Sequence, residues 1–195
     1  MIIFNDNLEM HWDNVNGVPH GNGYGIGETY ILVGEFIRGS LWGDVHVYDK
    51  VTGKRILLAE FEASLPHGNY TMHYDGIAET GMYRDGHKHF VVKRRNGRVF
   101  EYGFCKDNEF HGYASIESDG KTYTSPYWER GVINGLGCIQ DANNHVIFYG
   151  LLVNSIPVME TNDIHPLMLH KYELSKSDLF SDLPRSCAEF VLCEN

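Results

Sequence analysis

The chain is short of proline, cysteine, positive charge and long apolar runs, and each shortage closes off a class of protein. Only six prolines accompany 21 glycines and twelve tyrosines, a balance that favours many tight turns over disorder. The four cysteines, Cys105, Cys138, Cys187 and Cys193, lack the close pairs of a zinc site and the density of a disulfide framework, so free thiols are expected. No apolar stretch approaches the roughly 20 residues that span a bilayer. The start, Met1–Ile2–Ile3–Phe4–Asn5–Asp6–Asn7, lacks both a basic segment and a long apolar one. No signal peptide is read there, and a soluble, cytoplasmic protein is expected, in which the sequon Asn69–Tyr70–Thr71 stays unmodified. The net charge of −10 supplies few cations to set against phosphates, which argues against nucleic acid as a partner.

Catalytic motifs are missing as well. The chain has no Gly-x-Ser-x-Gly, no phosphate-cradling loop ending in Lys-Ser/Thr and no His-Glu-x-x-His, so no enzyme is expected and no cofactor or metal is required. Gly21–Asn22–Gly23–Tyr24–Gly25–Ile26–Gly27 departs from the Gly-x-Gly-x-x-Gly spacing of a dinucleotide loop and has no βαβ context.

What the chain does have is a repeat. A small or turn-compatible residue falls at Gly17, Gly39, Ser64, Gly86, Asn108 and Gly131, and a second column runs Gly21, Gly43, Gly68, Phe90, Gly112 and Gly135. Both advance by 22, 25, 22, 22 and 23 residues. A bulky column, Trp12, Phe36, Phe61, Tyr83, Cys105 and Trp128, precedes them, with Gly34, Gly81 and Gly103 two residues ahead of it in three copies. Phe148–Tyr149–Gly150–Leu151–Leu152 reads as a partial seventh unit that closes the array.

The replacements follow a physical rule. Where the first column departs from glycine it becomes Ser64 or Asn108; Asn tolerates positive φ and Ser is common in turns, so the column is expected at a bend closed to β-branched residues. Asp75–Gly76, Asn96–Gly97 and Asp119–Gly120 supply a second turn in three copies, with Gly53 slightly offset in a fourth. Between turns lie stretches such as Tyr70–Thr71–Met72–His73–Tyr74, Phe90–Val91–Val92–Lys93 and Tyr113–Ala114–Ser115–Ile116, rich in β-branched and aromatic residues. Each unit therefore reads as a β-hairpin of two short strands.

In its clearest copies, from Trp12 to Gly23 and from Trp128 to Gly137, the frame Gly-x3-Gly-x-Gly follows an aromatic residue. This pattern resembles the MORN repeat family, and the resemblance covers about three quarters of the chain, with departures at Ser64, Phe90, Cys105 and Asn108. It implies an all-β protein: an elongated antiparallel sheet of about six consecutive hairpins over residues 1–159. It also implies a non-catalytic scaffold or spacer that holds a protein partner. A structural component of a larger assembly, such as a virion or filament, with self-association, is the first alternative. A peripheral module for acidic phospholipids is the second, since some family members are thought to bind such lipids.

Three sets of residues are candidates for contact. Trp12, Phe36, Tyr83 and Trp128 recur at fixed phase; such residues most often pack one repeat on the next, and the sharper reading makes them an open aromatic face for protein binding. Lys88, Lys93, Arg94, Arg95 and Arg98 form the one basic cluster, read either as a solvated hairpin tip around Asn96–Gly97 or as the lipid site, with membrane contact at most peripheral. His20, His67, His89 and His111 precede the second column. Equivalent positions two strands apart lie roughly 10 Å from one another, too far to share a metal whose ligands sit about 2 Å from the ion.

The glycines stop after Met159, and 160–195 reads as a C-terminal, helical cap or tail. Pro166–Leu174 and Asp182–Leu192 are the candidate helices, each with proline in its first turn.

Overall fold

The structure is a computed structural model that describes residues 8–161. The described residues are all-β, built of fifteen strands without a helix. The expected helical cap therefore lies outside them. Contacts divide the chain into two compact units, Met1–Gly86 and His87–Asn195.

The first unit contains β1 (Glu9–Val15), β2 (Val18–Ile26), β3 (Tyr30–Ile37), β4 (Ser40–Asp49), β5 (Arg55–Glu62), β6 (Leu65–Tyr74) and β7 (Ile77–Arg84). They pair antiparallel in chain order. In β3 and β5 alternate residues are buried, Leu32, Gly34 and Phe36 in one and Leu57, Ala59 and Phe61 in the other, the period of a strand with one covered face. Val45 stands opposite Ala59, Ala59 opposite Tyr70 and Tyr70 opposite Gly81, so the core of this unit is a row running across the strands. Along that row the large Tyr70 sits between the small Ala59 and Gly81, and on the same covered face a Cβ added at Gly23 would meet the Phe36 ring at 2.8 Å.

The second unit contains β8 (His87–Arg95), β9 (Arg98–Lys106), β10 (Glu109–Ser118), β11 (Lys121–Glu129), the two-residue β12 (Val132–Ile133), β13 (Gly135–Gln140), β14 (Val146–Val153) and β15 (Ile156–Glu160). Neighbours again pair antiparallel, with β12 beside β11. Ala114, Trp128, Ile133, Ile139 and Leu152 form its core cluster. The seventh unit, expected to be partial, is a full hairpin of β14 and β15.

The first column lies where its chemistry requires. Gly17, Gly39, Ser64, Gly86, Asn108 and Gly131 all have φ between 68° and 86°, each preceded by a residue that also has positive φ. Two successive positive values make the two-residue turn whose twist matches that of paired strands. Asn154–Ser155 adds a seventh example. Asp75–Gly76, Asn96–Gly97 and Asp119–Gly120 have the same signature.

These turns are joined from one repeat to the next. The amide of Gly39 donates to Pro19 O, Ser64 to Leu41 O, Gly86 to Pro66 O, Gly131 to Phe110 O and Ser155 to Ile133 O, over 2.9–3.2 Å. Every acceptor is the second residue after the preceding turn. Ser64, Asn108 and Ser155 add a return bond, their side chains accepting from the amides of Leu41, Lys88 and Ile133 at 3.0, 3.1 and 2.9 Å. Opposite Gly39 and Gly86 stand Pro19 and Pro66, which have no N–H to offer. The departures from glycine are thus matched to the donor they face.

Phe90 is a different departure. Its equivalents Gly21, Gly43, Gly68 and Gly112 take left-handed backbone, with φ from 69° to 99°, and Phe90 does not. Register slips accompany the glycines at Gly21, Gly43, Gly68 and Gly112, as expected of bulges. Phe90 lacks left-handed backbone, and Val91 pairs with Gly103 and so stands in the row of Ala114. Phe90 turns to the other face, edge-on to Phe104 at 5.1 Å.

Candidate interaction surfaces

The aromatic column divides by burial. Phe36 and Trp128 are each only 6% exposed, and the Trp128 indole Nε1 donates to Ala114 O at 2.9 Å. Tyr83 is half-buried against Tyr70, ring centroids 4.5 Å apart. Trp12, beside Phe36 at 6.1 Å, is 41% exposed. In three of the four residues the column packs repeats, and Trp12 is the member that presents a ring to solvent.

Tyr83 belongs to a buried polar cluster that carries no sequence motif. Glu79 is fully buried and accepts from the hydroxyls of Tyr70 at 2.6 Å and Tyr74 at 2.9 Å. Burial, aided by the Glu79 charge, pushes the Tyr83 phenol up to about 12. The only sequence signal was phase, since Glu79 stands two residues before the buried Gly81 in β7.

The basic cluster brackets the Asn96–Gly97 turn, as the hairpin-tip reading requires. Lys93 Nζ pairs with Glu101 Oε2 at 2.6 Å and Arg98 Nη2 with Glu117 Oε2 at 3.0 Å. Arg95 lies over the Phe100 ring, 5.2 Å from its centroid. The Lys88 amide is held by Asn108, and Arg94 is partly buried. At least two of the five cations therefore already face carboxylates from neighbouring strands. In the histidine column, His67 Nδ1 is 3.4 Å from Asp85 Oδ1, and no group of three or more metal-ligating side chains assembles among the described residues.

A surface that sequence reasoning did not single out lies in the second unit. A groove of about 790 Å³ is formed on one face of β9, β10, β11 and β13. Ser115 stands opposite both Tyr102 and Thr124, and its hydroxyl is 2.9 Å from that of Thr124. Glu117 faces Thr122, which faces Gln140, giving a second polar row beside the first. Cys138, opposite Thr124, is a free thiol whose acidity burial weakens. No protein-family model matches this chain, and no curated protein matches it significantly.

Proposed function

We propose that the chain is a divergent MORN-type repeat protein that acts as a non-catalytic scaffold or spacer and holds a protein partner. The observation that carries this reading is the turn-to-turn hydrogen bond repeated at one phase, from Gly39 N to Pro19 O through Ser155 N to Ile133 O. The first of the columns on which the resemblance rests supplies the positions that join one hairpin to the next, which supports an array built by the repeat. Of the aromatic column, Trp12 is the residue available to a partner, since a half-exposed indole offers a large apolar contact at small entropic cost.

The test is affinity capture of the full chain from its native extract, quantified against a Trp12→Ala variant whose folding circular dichroism confirms. Trp128→Ala is unsuited, because it would empty a core site and orphan the Ala114 carbonyl. A specific partner lost with Trp12→Ala supports the scaffold; capture unchanged by the substitution sinks Trp12 as the contact. The assembly reading draws on β15, whose five residues are all exposed, Ile156, Val158 and Met159 among them. Sedimentation velocity that reports a larger species with rising concentration would favour it. The phospholipid reading is weakened by Glu101 and Glu117, which compete for the cations a lipid headgroup would need.

A further inference from the structure

The groove of the second unit has a chemistry and a spacing that select among ligands. Its walls come from four adjacent strands, so its long direction runs across them for three strand intervals, about 14 Å. Thr122 and Thr124 supply hydroxyls that both donate and accept, with the buried Ser115 bonded to Thr124 behind them, and Gln140 and Asn144 supply amides, the Gln140 amide nitrogen donating to Asn144 O at 3.1 Å. Among the described residues its ionised side chains are Arg98 and Glu117, which pair with each other at 3.0 Å. Phe100, half-buried and with Arg95 over its ring, provides the aromatic surface, while Tyr102 also lines the groove but is 7% exposed and packed against Tyr113.

Each feature removes a class of occupant. A lipid tail or apolar helix would strand the hydroxyls without partners. A phosphate or sulfate polymer would find one cation, already neutralised. An extended peptide repeats the same side every two residues, about 6.7 Å, which falls out of step with rows set about 4.8 Å apart by the strand spacing. A chain of pyranose rings has hydroxyls that donate and accept, a C–H face that rests on aromatic rings, no charge, and an extended repeat near the strand interval. We propose that this groove binds a neutral linear oligosaccharide, its hydroxyls bonded to those of Thr122 and Thr124 and to the amides of Gln140 and Asn144, its ring face on Phe100.

The test uses the full chain, isotopically labelled, titrated to about 1 mM with cellohexaose, maltohexaose, mannohexaose and chitohexaose. A heparin-derived hexasaccharide and an unstructured Ser/Gln-rich decapeptide serve as rival probes. Amide shifts confined to β9, β10, β11 and β13 with at least one neutral sugar are expected. Affinity should fall about tenfold in Thr124→Val, which removes a hydroxyl at constant shape, and in the more exposed Gln140→Ala/Asn144→Ala pair, which does not disturb the Ser115–Thr124 contact. Val51→Ala, at an exposed position of the other unit, should leave it unchanged. No shift with any neutral sugar overturns the proposal. So does preferred binding of the sulfated sugar or the peptide, or sugar binding indifferent to both groove variants.

Discussion

Substituting Ser64 by alanine separates a bond from a backbone requirement. Ser64 holds φ at 68°, and its Oγ accepts from the Leu41 amide at 3.0 Å. Alanine keeps the Cβ, and with it the left-handed strain, and deletes only the acceptor. A side chain to backbone hydrogen bond contributes about 1 kcal/mol net; the Leu41 amide lies close enough to water to be partly rehydrated, so the loss should be about 0.5–1 kcal/mol. In a chain of this size that is a fall in Tm of about 2–4 °C at most. The control is Leu41→Pro, because Pro19 and Pro66 occupy the same place in two other repeats. Proline removes the donor along with the leucine side chain, and the cost of the lost packing cancels in a double-mutant cycle. Urea unfolding of the four proteins, followed by far-ultraviolet circular dichroism, should find Ser64→Ala costly beside Leu41 and near neutral beside Leu41→Pro. Equal cost in both backgrounds would refute the pairing of acceptor with donor.

The same rule makes Gly131 a site for improvement: it faces the Phe110 amide without a side-chain acceptor, so Gly131→Asn should slow hydrogen exchange at Phe110 and stabilise by about 0.5 kcal/mol; unchanged exchange would count against it. Tyr83, with its phenol at about 12, should ionise above the ordinary phenol range in an ultraviolet titration, and the difference between the wild type and Tyr83→Phe should be one phenol ionising near 12. Because its folded pKa is raised, the stability it contributes is full below the ordinary phenol range near 10 and is lost as pH rises through 12; unfolding curves across that window should differ between the wild type and Tyr83→Phe. Burial keeps the Cys138 thiol protonated, so its alkylation near pH 8, located by peptide mapping, should be slower in the folded chain than in urea. Equal rates would mean that the thiol is open.

The hairpins were legible because turn chemistry is local. Positive φ at Ser64 and Asn108 follows from what those side chains tolerate, whatever lies beyond the repeat. Burial was not legible in the same way, because a strand has two faces and a shift of one residue exchanges them. Phe90 is such a case. The left-handed backbone of its equivalents is missing there, and Val91 stands in the row of Ala114 with Phe90 on the opposite face. Glu79 and the groove were hidden for a further reason, since both are made across strands. Tyr70 and Glu79 meet only when β6 pairs with β7, and Ser115, Thr124 and Cys138 share a row only when β10, β11 and β13 lie side by side. No interval along the chain marks those meetings. The sequence columns therefore identify the residues that build the array. The residues we propose for contact are those out of the columns, where each repeat is free to differ: Thr122, Thr124 and Gln140 in the groove, with Trp12 the exception at the first hairpin, where β1 has a neighbour on one side alone among the described residues.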